Sequence, residues 1–326
     1  MQPPPLARQA GPRQKHSGVA GVKLKTQNCV MDIFKIIRQF SSRITIADII
    51  CLAGVLLFGR WLLKTSWGRN ALADSRPRRN NMPLYLPFVP LFIWFGVSSL
   101  AMSLAQQIVG SLRDWQEALL DNVVLAAGAI VSIAVIILLA RASFARRLKG
   151  FGLNFRTIHK DFLAAFVNLL TVWPLVMAAI ISTIFFGELI YGKDFQMQRH
   201  EELELITTYP QWSLRILIII VAVVIAPLLE ETLFRGLFQT MIRCVLETRN
   251  PPRFWPVGTT WRTAWPAILI SSALFAISHA NPGHWPALFV LGTSLGYAYE
   301  KSGSLFRPIF IHSLFNATTI IAVLTQ

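Results

Sequence analysis

The sequence has few charged residues for its length. Asp, Glu, Lys and Arg make up 14% of the 326 residues, against about 25% in a typical soluble domain. Hydrophobic residues make up 54%, and the mean hydropathy is +0.51. So few charges cannot cover the surface of a soluble globule of this size, and so much apolar material excludes a chain that is disordered throughout. The remaining class is a polytopic membrane protein, and an all-α bundle of membrane helices is the expected fold.

Acidic residues and cysteines are also scarce. There are 16 Asp and Glu against 31 Lys and Arg, which gives a formal net charge of +15. The basic residues form no stripe with interleaved aromatic residues, so no nucleic-acid partner is expected. The three cysteines, Cys29, Cys51 and Cys244, form no spaced pair, which argues against a disulfide framework or a cysteine-rich zinc site.

Eight apolar stretches approach the roughly 20 residues that a membrane helix needs. They lie at 44–63, 83–109, 119–140, 161–191, 212–241, 264–281, 285–300 and 306–324. Two are marginal, because the first contains Asp48 and Arg60 and because the seventh is short. The sequence therefore predicts about eight transmembrane helices.

Basic and acidic loops alternate between these stretches. Loops 64–82, 141–160 and 242–263 are rich in Lys and Arg, while residues 114–121 and 194–204 are acidic or mixed. Because cytoplasmic loops of membrane proteins carry an excess of Lys and Arg, the three basic loops are expected in the cytoplasm. The same rule conflicts with a spanning first helix, which would place the basic N-terminal arm outside.

Costly polar side chains concentrate in the last third of the chain. An ionisable group inside the bilayer costs at least about 2.5–3.5 kcal/mol, so it indicates a functional site by default. Three predicted helices carry such groups: Glu230, Glu231 and Arg235 in one, His279 behind Phe275 in the next, and His312 with Asn316 in the last.

Helical spacing predicts which of these groups interact. Glu231 and Arg235 are four residues apart and share a helix face, which predicts an ion pair that neutralises both charges. Glu230 lies about 100° around the helix and has no local cation, and an unpaired carboxyl in a low-dielectric site suits acid–base work. His312 and Asn316 are also four residues apart, so together they could hold a developing oxyanion.

Helix lengths predict how deep each group lies. Glu230 and His279 are each fifteen residues from the expected cytoplasmic ends of their helices, which places both about 22 Å along the helix axis. His312 follows Phe306 by six residues and is therefore expected to lie about 13 Å shallower. These lengths therefore predict that His312 does not reach the membrane depth of Glu230 and His279.

The three motifs resemble those of a known family. E-E-x-x-x-R at 230–235, F-x-x-x-H at 275–279 and H-x-x-x-N at 312–316, in this order on successive helices, look like the CPBP family. These are the CAAX-protease and bacteriocin-processing (Abi) intramembrane endopeptidases. The stretch GSLFRPIFIHSLFNA is similar to the last motif of that family. The resemblance covers 212–324, and residues 1–200 carry no motif of the family.

The resemblance implies a metal-independent glutamic endopeptidase that needs no cofactor and acts on a membrane-associated peptide or protein, as in CAAX processing. Glu230 would activate a water molecule with the help of His279. His312 and Asn316 would form the oxyanion hole. The implied supporting or substrate-positioning residues are Glu231, Arg235 and Phe275.

The same resemblance gives the expected organisation of the chain. Residues 212–326 would form the catalytic membrane core, and residues 31–211 would be membrane helices of unassigned role. Residues 1–30 are expected to be a disordered basic arm. The expected location is a bacterial plasma membrane, with the protein crossing it several times, and the oligomeric state stays open.

Three other interpretations of these residues stay open. Glu230, His279 and His312 could bind a catalytic metal as a two-His, one-carboxylate set, although the sequence has no H-E-x-x-H. Ser294 lies in G-x-S-x-G at 292–296, which fits a serine hydrolase but also a G-x-x-x-G packing face. Intramembrane charges also occur in transporters and non-catalytic scaffolds.

Other polar residues are expected to have structural or solvent-exposed roles. His159 and His200 lie in polar loops and are expected to be solvated, and Glu300 is expected to be a loop charge. His284 lies in the stretch NPGHWP, which predicts a turn.

Overall fold

The computed structural model describes residues 45–75, 77–198, 200–249 and 261–325. Within these ranges the chain is helical and forms no β-strand. The predicted all-α fold is therefore confirmed. The predicted basic arm at 1–30 lies outside the described residues.

The chain divides into two compact units between Ile49 and Ile50. Of the first unit only residues 45–49 are described, and they start a helix. There the Thr45 N–H donates to the Asp48 carboxylate over 2.8 Å, and the Asp48 N–H donates to the Thr45 hydroxyl over 3.2 Å. This reciprocal pattern is a capping box, which satisfies backbone donors at a helix start. The second unit contains the candidate site.

Nine principal helices form the described part of the chain. They are α1 (Ile46–Lys64), α2 (Phe88–Ile108), α3 (Asp114–Ser143), α4 (Ile158–Tyr191), α5 (Glu201–Thr208), the composite α6 at 212–249, α7 (Trp261–Ile277), α8 (Trp285–Ser302) and α9 (Phe306–Leu324). Short helical turns at Arg147–Phe151, Phe155–Thr157 and Pro282–His284 join some of them.

Five helices of the described part are long and apolar enough to cross a membrane: Phe88–Ile108, Asp114–Ser143, Phe155–Tyr191, Trp212–Thr248 and Phe306–Leu324. A shorter apolar helix covers Arg262–Ile277. Because α1 and α8 are not among the five, the predicted count of eight is not confirmed. The protein is an integral membrane protein built as a helical bundle.

The composite α6 alternates between two helical geometries. The α-helical stretches Trp212–Ile220, Ala226–Glu230 and Thr240–Arg249 are separated by π-helical stretches at Val221–Ile225 and Glu231–Gln239. Pro227 has no N–H to donate to the carbonyl four residues earlier, and the wide turn before it accommodates the proline ring. Wide π turns inside α-helices are rare and are frequent at functional sites.

Helix α6 forms the centre of the main hydrophobic core. Its buried Leu229, Leu233 and Leu237 pack in one cluster with Ile136 of α3 and Phe275 of α7. A second cluster joins α4 to α8 and α9, and includes Val172, Val176, Leu291, Leu295 and Ile311. Apolar packing therefore fixes α6 against α3 and α7, and α4 against α8 and α9.

A buried polar cluster holds the segment before α2 against the same core. Arg243 of α6 bonds to the Glu300 carboxylate, and it also donates to the Ser75 carbonyl over 2.9 Å. The Ser75 hydroxyl donates to Glu300 over 2.9 Å, and Gln239 donates to the other Glu300 oxygen over 3.0 Å. The prediction of Glu300 as a loop charge is wrong: it lies inside α8 and is only 7% exposed. Its charge is compensated by Arg243, as a buried carboxylate requires.

Candidate active site

All four residues predicted to be catalytic line one cavity of about 170 Å³. It lies between α5, α6, α9 and the turn that follows α7. Glu230, His279, His312 and Asn316 contribute its polar wall, together with His200 and Glu202. The remaining lining is mostly apolar and includes Ile218, Val221, Leu288 and Phe315.

Glu230 is the last residue of the second α-helical stretch of α6, directly before the second π stretch. Its Oε2 atom is 4.0 Å from Nε2 of His279 and 4.0 Å from Nε2 of His312. The same oxygen is buried and has no hydrogen-bond partner among the described residues. Both distances exceed a direct hydrogen bond, and they suit a small molecule such as water that contacts all three groups.

The expected depth offset of His312 is wrong. Its Nε2 atom lies 4.0 Å from Oε2 of Glu230, because α9 starts inside the protein rather than at its edge. Phe306 is only 9% exposed, and the preceding Leu305 is fully buried and donates its N–H to the Gly152 carbonyl over 2.9 Å. The first turn of α9 is therefore already inside the bundle, and six residues further on the chain is at the level of Glu230.

His279 is held by the helix that precedes it. Its Nδ1 lies 2.8 Å from the Phe275 carbonyl oxygen, and because a carbonyl can only accept, Nδ1 carries the hydrogen. In the neutral ring Nε2 then has a free lone pair, and this atom faces Glu230. The Trp285 indole N–H donates to the His279 carbonyl over 2.9 Å and fixes the backbone as well.

Phe275 separates the two imidazoles of the site. Its ring is fully buried and meets the His279 ring at 4.9 Å and the His312 ring at 5.7 Å between centroids, each close to edge-on. Such edge-to-face contacts favour a fixed ring orientation. The spacing of F-x-x-x-H thus places an aromatic wall one helical turn before the histidine.

The predicted ion pair of Glu231 and Arg235 is confirmed. Nη1 of Arg235 donates to Oε1 of Glu231 over 3.1 Å, and both side chains are 0% exposed. The same oxygen accepts from Nδ1 of His312 over 2.9 Å, so Glu231 also sets the ring orientation of His312. Arg235 further donates to the Gly292 carbonyl over 3.2 Å and lies 4.4 Å from the Phe275 ring centroid.

Asn316 is anchored to the first π stretch of α6. Its side-chain amide donates to the Ala222 carbonyl over 2.8 Å, which leaves its second N–H for the cavity. Asn316 follows His312 by one turn of α9, so both side chains face the same space.

Ser294 lies away from this cavity. It lines an apolar groove of about 490 Å³ on another face of α8, with Trp61, Trp265 and Tyr297. No histidine lines that groove within the described residues. A serine nucleophile in G-x-S-x-G requires a turn between a strand and a helix. The stretch 292–296 lies inside a helix instead.

A metal site is not evident from side-chain clustering. Within the described ranges, no group of three or more His, Cys, Asp or Glu residues is arranged to hold a metal ion.

His200 and Glu202 were not predicted to belong to the site. His200 is solvated as expected, with its side chain 45% exposed, but it also lines the cavity, and its ring centroid lies 6.2 Å from that of His279. Nδ1 of His200 is 2.6 Å from Glu202 Oε2. The one sequence signal was a histidine directly before a short acidic helix. His159 is exposed on α4, as expected.

The contact between His200 and Glu202 shifts the pKa of both side chains. The hydrogen bond to Glu202 raises the pKa of His200, with burial opposing and the charges of Glu202, Glu230 and Glu201 reinforcing the rise. Burial favours a higher pKa for Glu202, but the hydrogen bond and charge of His200 outweigh it and lower the pKa. The pair therefore favours an imidazolium beside a carboxylate.

Comparison with known proteins relates the part of the chain that contains this site to a family. Residues 211–318 match a family model described as type II CAAX prenyl endopeptidase Rce1-like. The match covers about a third of the chain and supports the resemblance of this segment to the CPBP family. The segment contains Glu230, His279, His312 and Asn316, while His200 and Glu202 lie outside it.

One curated relative supports the same assignment. The Bacillus subtilis (strain 168) protein named "Putative membrane peptidase YdiL" is 30% identical over 105 residues, which cover 32% of this chain and 36% of the relative. The match thus spans about a third of the length of this relative. No solved structure matches the chain.

Proposed function

We propose that the protein is an intramembrane endopeptidase that hydrolyses a peptide bond of a membrane-associated peptide or protein by a metal-independent glutamate mechanism. One observation carries the proposal: an unpartnered buried oxygen of Glu230 lies 4.0 Å from the Nε2 atoms of both His279 and His312. The CPBP-family segment around these residues supports the peptidase assignment. The broader expectation of processing similar to that of CAAX proteases comes from that family.

In the first step, a water molecule held by Glu230 and His279 is activated. The Glu230 carboxylate takes a proton from the water as the water oxygen bonds to the scissile carbonyl carbon. His279 orients the water through the lone pair on Nε2, because its Nδ1 hydrogen is committed to the Phe275 carbonyl. The negative charge then moves to the former carbonyl oxygen.

His312 and Asn316 stabilise this oxyanion. Asn316 offers its second amide N–H, while the first is committed to Ala222. The Glu231 carboxylate at Nδ1 stabilises the protonated ring of His312, whose Nε2–H then donates to the oxyanion. Protonated Glu230 finally returns its proton to the leaving amine as the C–N bond breaks, and the two products separate.

The orientation in the membrane follows from the charge distribution, and we propose that loops 64–82, 141–160 and 242–263 are cytoplasmic in a bacterial plasma membrane. Helix α3 begins at Asp114 beside the acidic α5 and ends about 45 Å away beside the basic loops. Since α5 lines the catalytic cavity, the cavity opens toward the face opposite the basic loops.

The test of the proposed function is cleavage of a quenched membrane-peptide library by purified protein in detergent, with and without a chelator. Glu230→Gln should lower the cleavage rate by at least about 100-fold, because a general base typically contributes 10²–10⁴-fold to the rate. Glu204→Gln removes an exposed carboxylate of α5 and should leave the rate unchanged.

Other results of this test lead to other functions. Cleavage that the chelator stops would favour a metal-dependent protease that uses Glu230, His279 and His312. Cleavage that survives Glu230→Gln would contradict the proposed mechanism. Well-folded protein that cleaves no peptide of the library would favour a membrane scaffold or transport role.

A further inference from the structure

The segment before α6 supplies a third imidazole to the catalytic cavity. This segment lies outside the CPBP-family match, yet its position is fixed by packing and hydrogen bonds. Ile206 is fully buried against Ile218 and Ile320. The Gln198 carbonyl accepts a hydrogen bond from Nε2 of His284 over 3.0 Å.

The charged groups around His200 can be named from every neighbouring element. Glu201 and Glu202 lie on α5, and Glu230 acts on it from α6. His279 and His284 lie on the turns after α7, with ring centroids 6.2 and 5.6 Å from that of His200. From the α5 side toward the catalytic centre, the titratable groups therefore follow in the spatial order Glu202, His200, His279 and Glu230.

A positive charge on His200 has a definite effect on the next two groups. It opposes protonation of the neighbouring His279 ring and favours the ionised form of the Glu230 carboxylate. The proposed mechanism needs these two forms, because the water is held by a lone pair on Nε2 of His279 and deprotonated by a carboxylate. The hydrogen bond to Glu202 raises the pKa of His200 and so favours its positively charged form.

We propose that His200, held by Glu202, is a positioning residue that acts through His279 and keeps His279 neutral and Glu230 ionised. The effect of His200 on cleavage rests on the proposed function. The electrostatic coupling between the His200 and His279 rings does not.

The coupling is measured by NMR on protein in detergent labelled with ¹³C in its histidine rings. The chain has only six histidines, and the His279 signals are identified by their loss in His279→Asn. In His200→Gln, the pH midpoint of the His279 signals should rise by roughly 0.5–1 unit, since a positive charge about 6 Å away has been removed.

Two variants separate charge from packing. His200→Lys keeps a positive charge at this position, so the His279 midpoint should stay within about 0.2 unit of the unsubstituted protein. His159→Gln removes an exposed histidine of α4 and should not change the midpoint. An unchanged midpoint in His200→Gln, or an equal rise in His200→Gln and His200→Lys, would overturn the proposal.

Cleavage gives a second measurement. In His200→Gln the acid limb of the kcat/KM profile should move to higher pH by the same amount, with KM on the plateau unchanged and with recovery in His200→Lys. If the unsubstituted protein cleaves nothing, the proposed function fails, while the NMR titration still decides the coupling. A shifted His279 midpoint with an unshifted cleavage profile would contradict the positioning role.

Discussion

At the scale of the residue, two adjacent glutamates have opposite environments. Glu231 is fully buried and accepts hydrogen bonds from both Arg235 and His312, while the Oε2 atom of Glu230 has no partner among the described residues. The rotation of about 100° between successive helical residues separates them. One carboxylate is thereby committed to structure and the other is left available for chemistry.

Removal of the Glu231 carboxylate should strongly destabilise the protein. Glu231→Ala leaves the Arg235 guanidinium buried without its counter-charge, which costs about 3–5 kcal/mol of unfolding free energy. Denaturant or thermal unfolding in detergent measures the loss.

Two comparison variants test the reason for that loss. Glu231→Leu combined with Arg235→Met removes both charges and should regain most of the stability. Glu204→Ala removes an exposed carboxylate and should change the unfolding free energy by less than about 0.5 kcal/mol. Equal losses in Glu231→Ala and Glu204→Ala would contradict this account.

At the scale of the element, α8 depends on close approach to α6 and α7. A Cβ atom built on Gly296 would lie 2.7 Å from the Gln239 side-chain oxygen and 2.9 Å from Cγ2 of Ile268. The Gln239 amide also donates to the Gly296 carbonyl over 3.2 Å. The G-x-x-x-G pattern at 292–296 thus serves helix packing, which is its usual role between membrane helices.

Gly296→Ala should therefore lower the stability by about 1–3 kcal/mol, because the added methyl group overpacks a fully occupied contact. Gly96→Ala is a matched control on α2, where the added Cβ meets nothing within 4 Å. The control should leave the unfolding temperature in detergent unchanged or slightly raised, since Ala favours helix over Gly. Similar unfolding temperatures for both variants would exclude close packing at Gly296.

At the scale of the whole molecule, the two ends of the bundle carry opposite charge. The basic loops 64–82 and 141–160 meet at the end of α3, where Asn80 pairs with Phe144. The other end of α3 shares a cavity of about 590 Å³ with α5, lined by Asp114, Glu201 and Glu202. Glu202 also lines the catalytic cavity, so α5 forms part of the wall of that cavity, in agreement with the proposed opening toward the acidic end.

Cysteine labelling in intact bacteria tests the proposed orientation. With the three native cysteines replaced by serine, Glu204→Cys should react with a membrane-impermeant maleimide. Lys149→Cys, on the basic end, should react only after the cells are permeabilised. The reverse pattern would place the catalytic cavity on the cytoplasmic side.

The sequence contained much of the candidate site because its motifs are local. The pair of Glu231 and Arg235 follows from spacing on one helix, and this pair is confirmed. The depth of His312 was wrong, because the arithmetic assumed that each helix starts at the membrane surface. The position of Phe306 inside the bundle depends on the Leu305 hydrogen bond to Gly152 and on the ring of Phe155, whose centroid lies 5.1 Å from that of Phe306, and both partners are distant in sequence.

The sequence by itself determined the class of protein, its helical fold and which polar residues lie at membrane depth, since apolar stretches, helical periodicity and desolvation cost act along the chain. The tertiary structure alone decided which of these groups meet. It brought Nε2 of His279 and Nε2 of His312 each to 4.0 Å from Oε2 of Glu230, buried Glu300, and added His200 and Glu202 to the cavity. These outcomes depend on where helices start, tilt and pack, and such contacts join residues that no local spacing relates.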